Sequence, residues 1–518
     1  MPKIKNDTLF TLIKSLKKSE KRYFKTSEAK QEDMKFIRLF DLVDKQDEFD
    51  EDNILKKDKS IKPTQLSNLK AHLYTKILQS LRMYNSSSVA EIGIHNLIDH
   101  VQILFNKSLY QQCISVLKKA RKNAERIDNL ELQLEILNWE KKLLPYTTGK
   151  NTQADVNEIV MKVQDVSNRI NNINAYSNLH LQLNSIYNQV GYMRSEEDFK
   201  KVNALFESSF PNPDEELLSV SEKINLYSLY INYYFFIQNF ERGYEYAKSW
   251  VQLFHGDKTL MSSKIEMYIS ALNHLMIAQN KLEKYEEFLV TKKELRSVGN
   301  LPAINLNDNI KLKLLKYSYV HEFNALFMMG DFEHGVQLIE KIKPGLEHFI
   351  EQTDSHSKVI MFYKTACLYF GNANFKDAIF WLNKIINSTD VNIREDIHGF
   401  ARILSLICHY ELGNIELIEY NVRSTYRFLL KTQDLHLFQR YILNFLRKLN
   451  ATMTDKELIR RFKRLRENLI PLTDNQYEKR AFIYFDIISW LESKIENRMI
   501  RDIVKEKAEV RERVSAVN

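Results

Sequence analysis

Apolar residues recur along this chain at the three- and four-residue spacing that one face of a helix requires. In "ACLYFGNANFKDAIFWLNKIINS", Ala366 to Ser388, the residues Tyr369, Ala378, Leu382 and Ile385, with Phe362 just before, fall where a helix–turn–helix pair would bury them. The pattern predicts a first helix ending near Phe370, a turn over "GNANF", and a second helix from Lys376 through Asn387. The same grammar recurs over Leu404 to Leu430, Glu322 to Ile342, Tyr230 to Phe254 and His100 to Glu125. Each copy has an aromatic or apolar residue just after the turn: Tyr110, Phe240, Phe332, Phe375 and Ile415. Three residues later comes a small or apolar residue for a close helix crossing: Cys113, Gly243, Gly335, Ala378 and Ile418.

The intervals between these copies fill with further helices. Asn129–Leu144 and Asn151–Asn172 read as a pair around "PYTTGKN", Asn178–Met193 with Asp198–Ser208 as another, and Ile265–Gln279 with Lys284–Leu295 as a third. That makes about eight pairs between Ala90 and Lys431, above the three or more such arrays need. Loops with turn chemistry separate them near Pro211, Pro302 and Asp390. The ends differ, as segments with a single neighbour must. Leu9, Leu12, Ile13 and Leu16 mark one helix, Ser19 is placed to cap a second over "EKRYFKTSEAK", and Pro63 opens a third with Leu66, Leu69, Leu73 and Ile77 on one side. Late in the chain, Thr454 and Glu457 form a capping box with Met453 and Leu458 as its staple, and Ile459, Phe462, Leu465 and Leu469 point inward. A last amphipathic helix runs through Ile483, Ile487, Leu491 and Ile495, before a charged tail from residue 500 reads as solvated or frayed. The expected divisions are an N-terminal cap over 1–88, a repeat array over 89–431, a C-terminal cap over 432–499 and a tail over 500–518.

The small and aromatic positions resemble those of the tetratricopeptide repeat, in which two antiparallel helices pack closely at a small residue. The spacing is longer, 43 residues from Gly335 to Ala378 and 40 from Ala378 to Ile418, against ~34 in the standard unit. The resemblance implies an all-α, right-handed solenoid of antiparallel helix pairs. The chain is also similar to a bacterial, Bacteroidota-like group sharing "LIKSL…SEKRYF" and "HYELGN…YRFLL"; that likeness implies fold and no activity.

Composition supports helices. There are 12 glycines and 8 prolines in 518 residues, about a third of their usual share, and strands and tight turns consume both. The hydrophobic fraction of 44% supplies a large core. Cys113, Cys367 and Cys408 are odd in number and form no C-x-x-C pair, so buried thiols in a reducing compartment are expected. No signal-peptide core and no apolar run of about 18 residues is present, which points to a cytoplasmic protein without membrane insertion.

Catalytic motifs are missing from the text. Gly330 to Gly335 has Walker spacing but continues Val336-Gln337, so it lacks the Lys and hydroxyl that would hold phosphate and Mg²⁺. No H-E-x-x-H and no G-x-S-x-G occurs. An enzyme, a metal, a cofactor and a small-molecule substrate are therefore not expected. Two partner surfaces remain. Counting back from each turn along the first helices gives aromatics at Phe105, Phe235, Phe327, Phe370 and Tyr410, with Gln102, Asn232, Asn324, Cys367 and Ile407 three residues earlier. In proteins this array resembles, those rows face a bound peptide; the Lys-and-Asn carboxylate clamp of the chaperone-binding members is not reproduced. The alternative is a nucleic-acid surface on "RRFKRLR", with Arg460, Arg461, Lys463, Arg464 and Arg466, and on Lys14, Lys17, Lys18, Lys21, Arg22 and Lys25. Acids from Asp41 to Asp52 stand ready to neutralise the second cluster, and no stacking aromatics interleave either. The expected function is a non-catalytic scaffold or adaptor that binds a protein segment along its inner face.

Overall fold

The computed structural model describes residues 7–28, 34–146, 153–210, 213–301, 306–388, 392–449 and 453–515. The loops expected around "PYTTGKN", Pro211, Pro302 and Asp390 lie largely outside these residues. Among the described residues the structure is all-α: helices and short 3₁₀ turns, with no strand. No helix is long and apolar enough to cross a membrane. The chain divides into two compact units, 1–168 and 169–518.

The first unit contains α1 (Thr8–Ser15), α2 (Lys18–Glu28), α3 (Met34–Asp44), α4 (Glu51–Lys57), α5 (Pro63–Asn85), α6 (Ala90–Asn106), α7 (Tyr110–Arg126), α8 (Leu130–Leu143) and the start of α9 (Gln153–Val190). Leu9, Ile13, Phe24, Phe40, Leu73 and Ile77 form the core of its first five helices. Ser19 does not cap α2: the helix starts at Lys18, and the Glu20 carboxylate accepts the Lys17 N–H at 2.8 Å. The lysines of α1 and α2 are partly neutralised by α3, Lys21 reaching Asp44 at 2.5 Å and Lys25 pairing with Asp41. The pair α6–α7 closes around Cys113, Leu117 and Val101.

Two helices expected over Asn151–Asn172 and Asn178–Met193 are one, the 38-residue α9. Its asparagine-rich middle lowers helix propensity but holds no Gly or Pro to break the ladder, and Tyr176, Leu179 and Leu183 remain buried.

The second unit continues with α10 (Glu196–Ser209), α11 (Val220–Phe236), α12 (Phe240–His255), α13 (Lys258–Ser263), α14 (Ile265–Lys281), α15 (Tyr285–Val298), α16 (Asp308–Met329), α17 (Phe332–Gln352), α18 (Ser355–Gly371), α19 (Phe375–Ile386), α20 (Glu395–Glu411), α21 (Ile415–Lys431), α22 (Leu437–Arg447), α23 (Asp455–Leu469), α24 (Arg480–Tyr484), α25 (Ile487–Glu496) and α26 (Ile500–Ser515). From α11 to α23 helices pack on their successors, and α14, α16, α18 and α20 also pack each on the next in that series. The crossing positions read from the sequence are buried. A Cβ on Gly243 would lie 2.4 Å from the Phe235 ring, and one on Gly335 would lie 2.9 Å from Leu368, so larger side chains there would part the helices.

The C-terminal region differs from expectation. Thr454 accepts the Glu457 N–H, but Glu457 turns to Arg461 at 3.1 Å and leaves the box half formed. Ile459 is exposed rather than inward. The helix expected through Ile483 to Ile495 breaks at Phe485, where φ and ψ turn extended, and restarts behind the Asp486 cap. The tail expected to be frayed is the packed helix α26, with Ile503 and Ala508 buried. Its charges hold it: Lys507 reaches Glu492 at 2.6 Å and Ser489 at 2.8 Å, Arg511 reaches Glu283 at 3.1 Å, and Arg501 reaches Asn372 at 3.3 Å. Gly330 ends α16 at φ 66°, and a Cβ there would lie 2.8 Å from the Lys505 backbone. The glycine with Walker spacing is thus a helix cap beneath α26.

Candidate functional site

The rows read from the sequence separate into three environments. In the first unit, Gln102 is exposed and donates to Asn106 at 2.9 Å, while the half-buried Phe105 packs its ring against Tyr110, Trp139 and Tyr146. Phe105 is part of an aromatic cluster rather than a free anchor.

In the second unit, three expected anchors are occupied by the chain itself. Phe235 is buried against Gly243. Phe370 is 1% exposed and meets Phe375 and the C-terminal Phe485, 5.4 and 5.1 Å between ring centroids. Tyr410 meets Phe462 and Trp490 edge-on. The segment that supplies these rings is clamped by charges. Arg394, buried at φ 56°, donates to both Asp396 oxygens at 2.9 and 2.8 Å, and Tyr484 also donates to Asp396. Burial alone would raise the Asp396 pKa, but the Arg394 charge and these hydrogen bonds hold it below the ordinary carboxylate value. Arg480 pairs with the buried Asp434. Gly191, at φ 78°, is the residue that lets Asp396 approach: a Cβ there would overlap its carboxylate.

The third environment is polar. One helical turn before the expected Asn row, at the position eleven residues ahead of the following helix, α14, α16 and α18 carry His274, His321 and Lys364. His321 and Lys364 join Asn324 in one network, while His274 Nδ1 lies 2.7 Å from the Ser270 carbonyl of its own helix. Lys364 Nζ donates to Asn324 Oδ1 at 2.6 Å, Asn324 Nδ2 lies 3.4 Å from His321 Nδ1, and His321 Nε2 lies 3.0 Å from Asn273 Oδ1. Each group donates in the same direction, which fixes the neutral His321 tautomer with its proton on Nε2. Burial drives the proton affinities down, His274 to about 4 and His321 to about 3, with the Lys364 charge adding to the second. Asn232 is half-buried, its amide 3.4 Å from His180. Asn324 is buried and bonded on both sides, so it is a member of the network rather than a solvated side chain. Phe327 is half-buried, with Lys364 Nζ 5.5 Å above its ring. Ile407 and Cys367 are not hydrogen-bonding wall residues: Ile407 is core, and burial pushes the Cys367 thiol up to about 12.

Lys281 and Lys364 were not singled out by sequence. Both are partly accessible, and among the described residues neither takes part in an ion pair. Burial, then the charges of Lys364 and Arg394, lower Lys281 to about 7; burial lowers Lys364 to about 8. The signal that would have pointed to Lys364 was in the text: His274, His321 and Lys364 share one register position.

The basic helix α23 is split. Arg461 pairs with Glu457 and Arg466 with Glu492 at 2.8 Å, while Arg460, Lys463 and Arg464 are exposed. Among the described residues no group of three or more His, Cys, Asp or Glu side chains is arranged to hold a metal ion. No family model, no curated protein and no solved structure matches the chain.

Proposed function

We propose that the chain is a tetratricopeptide-like, right-handed solenoid of antiparallel helix pairs, of the bacterial type named above. We infer that it serves in the cytoplasm as a non-catalytic scaffold holding an extended protein segment along the polar row of its second unit. The observation that carries this reading is the row itself. Asn232, His274, His321, Asn324 and Lys364 occupy positions where successive helices would otherwise bury apolar residues, and keeping polar groups there costs stability unless they are bonded. An extended segment needs such partners, because each buried amide left unpaired costs about 1–3 kcal/mol.

The test is a photoreactive residue placed at Asn232 and, as a control, at Tyr420 on α21, which is 71% exposed. In lysate of the native cells, the first should give a discrete protein adduct and the second none. No adduct at position 232, or the same adducts at both, would overturn the reading. A second reading, contact with polyanions, is favoured only by Arg460, Lys463 and Arg464, which are exposed and have no ion pair among the described residues; an adduct abolished by nuclease would support it.

A further inference from the structure

The last turn of α6 and the start of α7 are joined by an aromatic pair, Phe105 and Tyr110, with ring centroids 5.7 Å apart. The same pair recurs in the second unit as Phe235 with Phe240, Phe327 with Phe332 and Phe370 with Phe375, at 5.8, 6.1 and 5.4 Å. There the chain covers its own rings: Tyr192 packs edge-on against Phe240, and Phe485 against Phe370. The pair is therefore a device of helix packing.

Its copy in the first unit carries more rings than packing requires. Trp139 on α8 and Tyr146 in the 3₁₀ turn Leu144–Tyr146 both meet Phe105, at 5.7 and 5.4 Å and at interplanar angles of 64° and 89°. Tyr146 also stacks on Tyr110 at 4.7 Å, yet stays 46% exposed. Trp250, Trp381 and Trp490 are each 1% exposed, whereas Trp139 is only half-buried. The faces of such rings are electron-rich and their edges electron-poor. Phe105 and Trp139 turn their faces to one point, and a cation occupies it. Lys142 Nζ lies 4.4 Å from the Phe105 centroid and 4.5 Å from the Trp139 centroid. Lys142 follows Trp139 by three residues on α8, so both side chains lie on one face of that helix.

We propose that the corner between Phe105 and Trp139, braced by Tyr110 and Tyr146, binds a trimethylammonium group, and that Lys142 is the intramolecular occupant this group displaces. A lysine ammonium is a compact, strongly hydrated charge with three N–H donors. Ring faces satisfy those donors less well than water does, and the Lys142 side chain is exposed, so it exchanges readily. A trimethylammonium group has no N–H to leave unpaired. It keeps the attraction of a cation for two ring faces and adds the burial of its methyl groups against them. The site belongs to the first unit and does not require the scaffold reading, which rests on residues of the second.

The experiment is calorimetric titration of the full chain with choline chloride, against its uncharged tert-butyl analogue, in which carbon replaces nitrogen, at matched ionic strength. Saturable binding is expected for choline and none for the analogue. Lys142→Ala should tighten choline binding about two- to fivefold, the worth of the surface cation–ring contact it removes from competition. Phe105→Leu and Trp139→Leu keep apolar bulk but remove a ring face, and each should weaken binding about fivefold or more. Circular dichroism confirms that each variant is folded. Equal binding of choline and its analogue, or parental affinity in both Leu variants, would overturn the proposal. Binding by Lys142→Ala but not by the parent would make Lys142 a permanent plug and overturn it too. A trimethyllysine peptide and free choline form the second pair of arms, with the unmethylated peptide as control. Tighter binding of the methylated peptide identifies a protein-borne group, and tighter binding of choline a free metabolite. Unmethylated peptide bound as well as methylated would again sink the site. Failure of the cross-linking test with choline binding intact would remove the scaffold reading and leave this site standing.

Discussion

Two stretches of the same helical register in the second unit have different fates. Around Phe370 and Tyr410, the chain's own C-terminal segment lays Phe485 and Trp490 onto the row, and the neighbouring Ile407 is core. Around His321, Asn324 and Lys364 the row is polar and bonded within itself. Apolar burial stabilises in proportion to the area removed from water, so a row that receives an intramolecular cover gains by being aromatic. A row without one gains nothing from exposed rings. The difference separates residues that hold the fold from residues retained at some cost to it.

The comparison breaks most sharply at Asp396. Removing its carboxylate leaves Arg394 as an uncompensated buried charge and frees Tyr484. Asp396→Ala should destabilise by about 3–5 kcal/mol, read as a lowered denaturant midpoint. Phe370→Ala belongs to the same class and should cost about 3–5 kcal/mol. If either melts like the parent, the C-terminal segment is not clamped as described and the covered row is open.

Ala378→Leu probes the packing beneath both rows. Ala378 is fully buried in the crossing of α18 and α19, and overpacking there should cost about 1–3 kcal/mol. A parental melting curve would mean that the helices part without penalty.

The polar row is sharpened by pH. The Lys281 pKa is about 7 in the folded chain, against 10.5 without its surroundings. Between those values the unfolded chain binds more protons than the folded one, so this group makes stability rise with pH. At pH 7 it still opposes folding, and that opposition disappears as pH approaches 10.5. Lys281→Met should therefore be more stable than the parent at pH 7, with the advantage shrinking steadily up to pH 10 in parallel thermal melts. A constant difference across that range would show that Lys281 is not desolvated.

Much of the fold was legible because packing repeats its demands. Phe240, Phe332 and Ile415 begin the helices that follow their turns, α19 begins at Phe375 rather than at the expected Lys376, and Gly243, Gly335 and Ala378 sit at the close crossings. Periodicity reports which face of a helix is buried, but not what buries it. Phe370 and Tyr410 were assigned to a partner because nothing in local spacing shows that residues more than seventy positions later return to cover them. The tail was expected as a solvated or frayed helix, and the packing of α26 was missed for a related reason: ion pairs with Glu283, Glu492 and Glu333 hold it, and charge pairing at a distance leaves no period. Lys281 escaped notice because its desolvation comes from the packing around α14 and leaves no mark in local spacing.

The smallest expected effect falls on α23, where charge was the only signal the sequence offered. Five cations in seven residues suggested one continuous surface, yet Arg461 and Arg466 are bound to Glu457 and Glu492, leaving Arg460, Lys463 and Arg464 facing solvent. Exposed substitutions away from specific contacts usually change stability by less than about 0.5 kcal/mol. The triple change of these three residues to Gln should therefore leave the melting curve unmoved. What it should alter is retention on a polyanion column, since each phosphate neutralised by a cation releases counterions and makes binding steeply salt-dependent. The parent should elute at low salt and the variant earlier still. If the triple variant were retained as the parent is, α23 would not be the polyanion surface, and the contrast between a solvated basic face and a bonded polar row would fail.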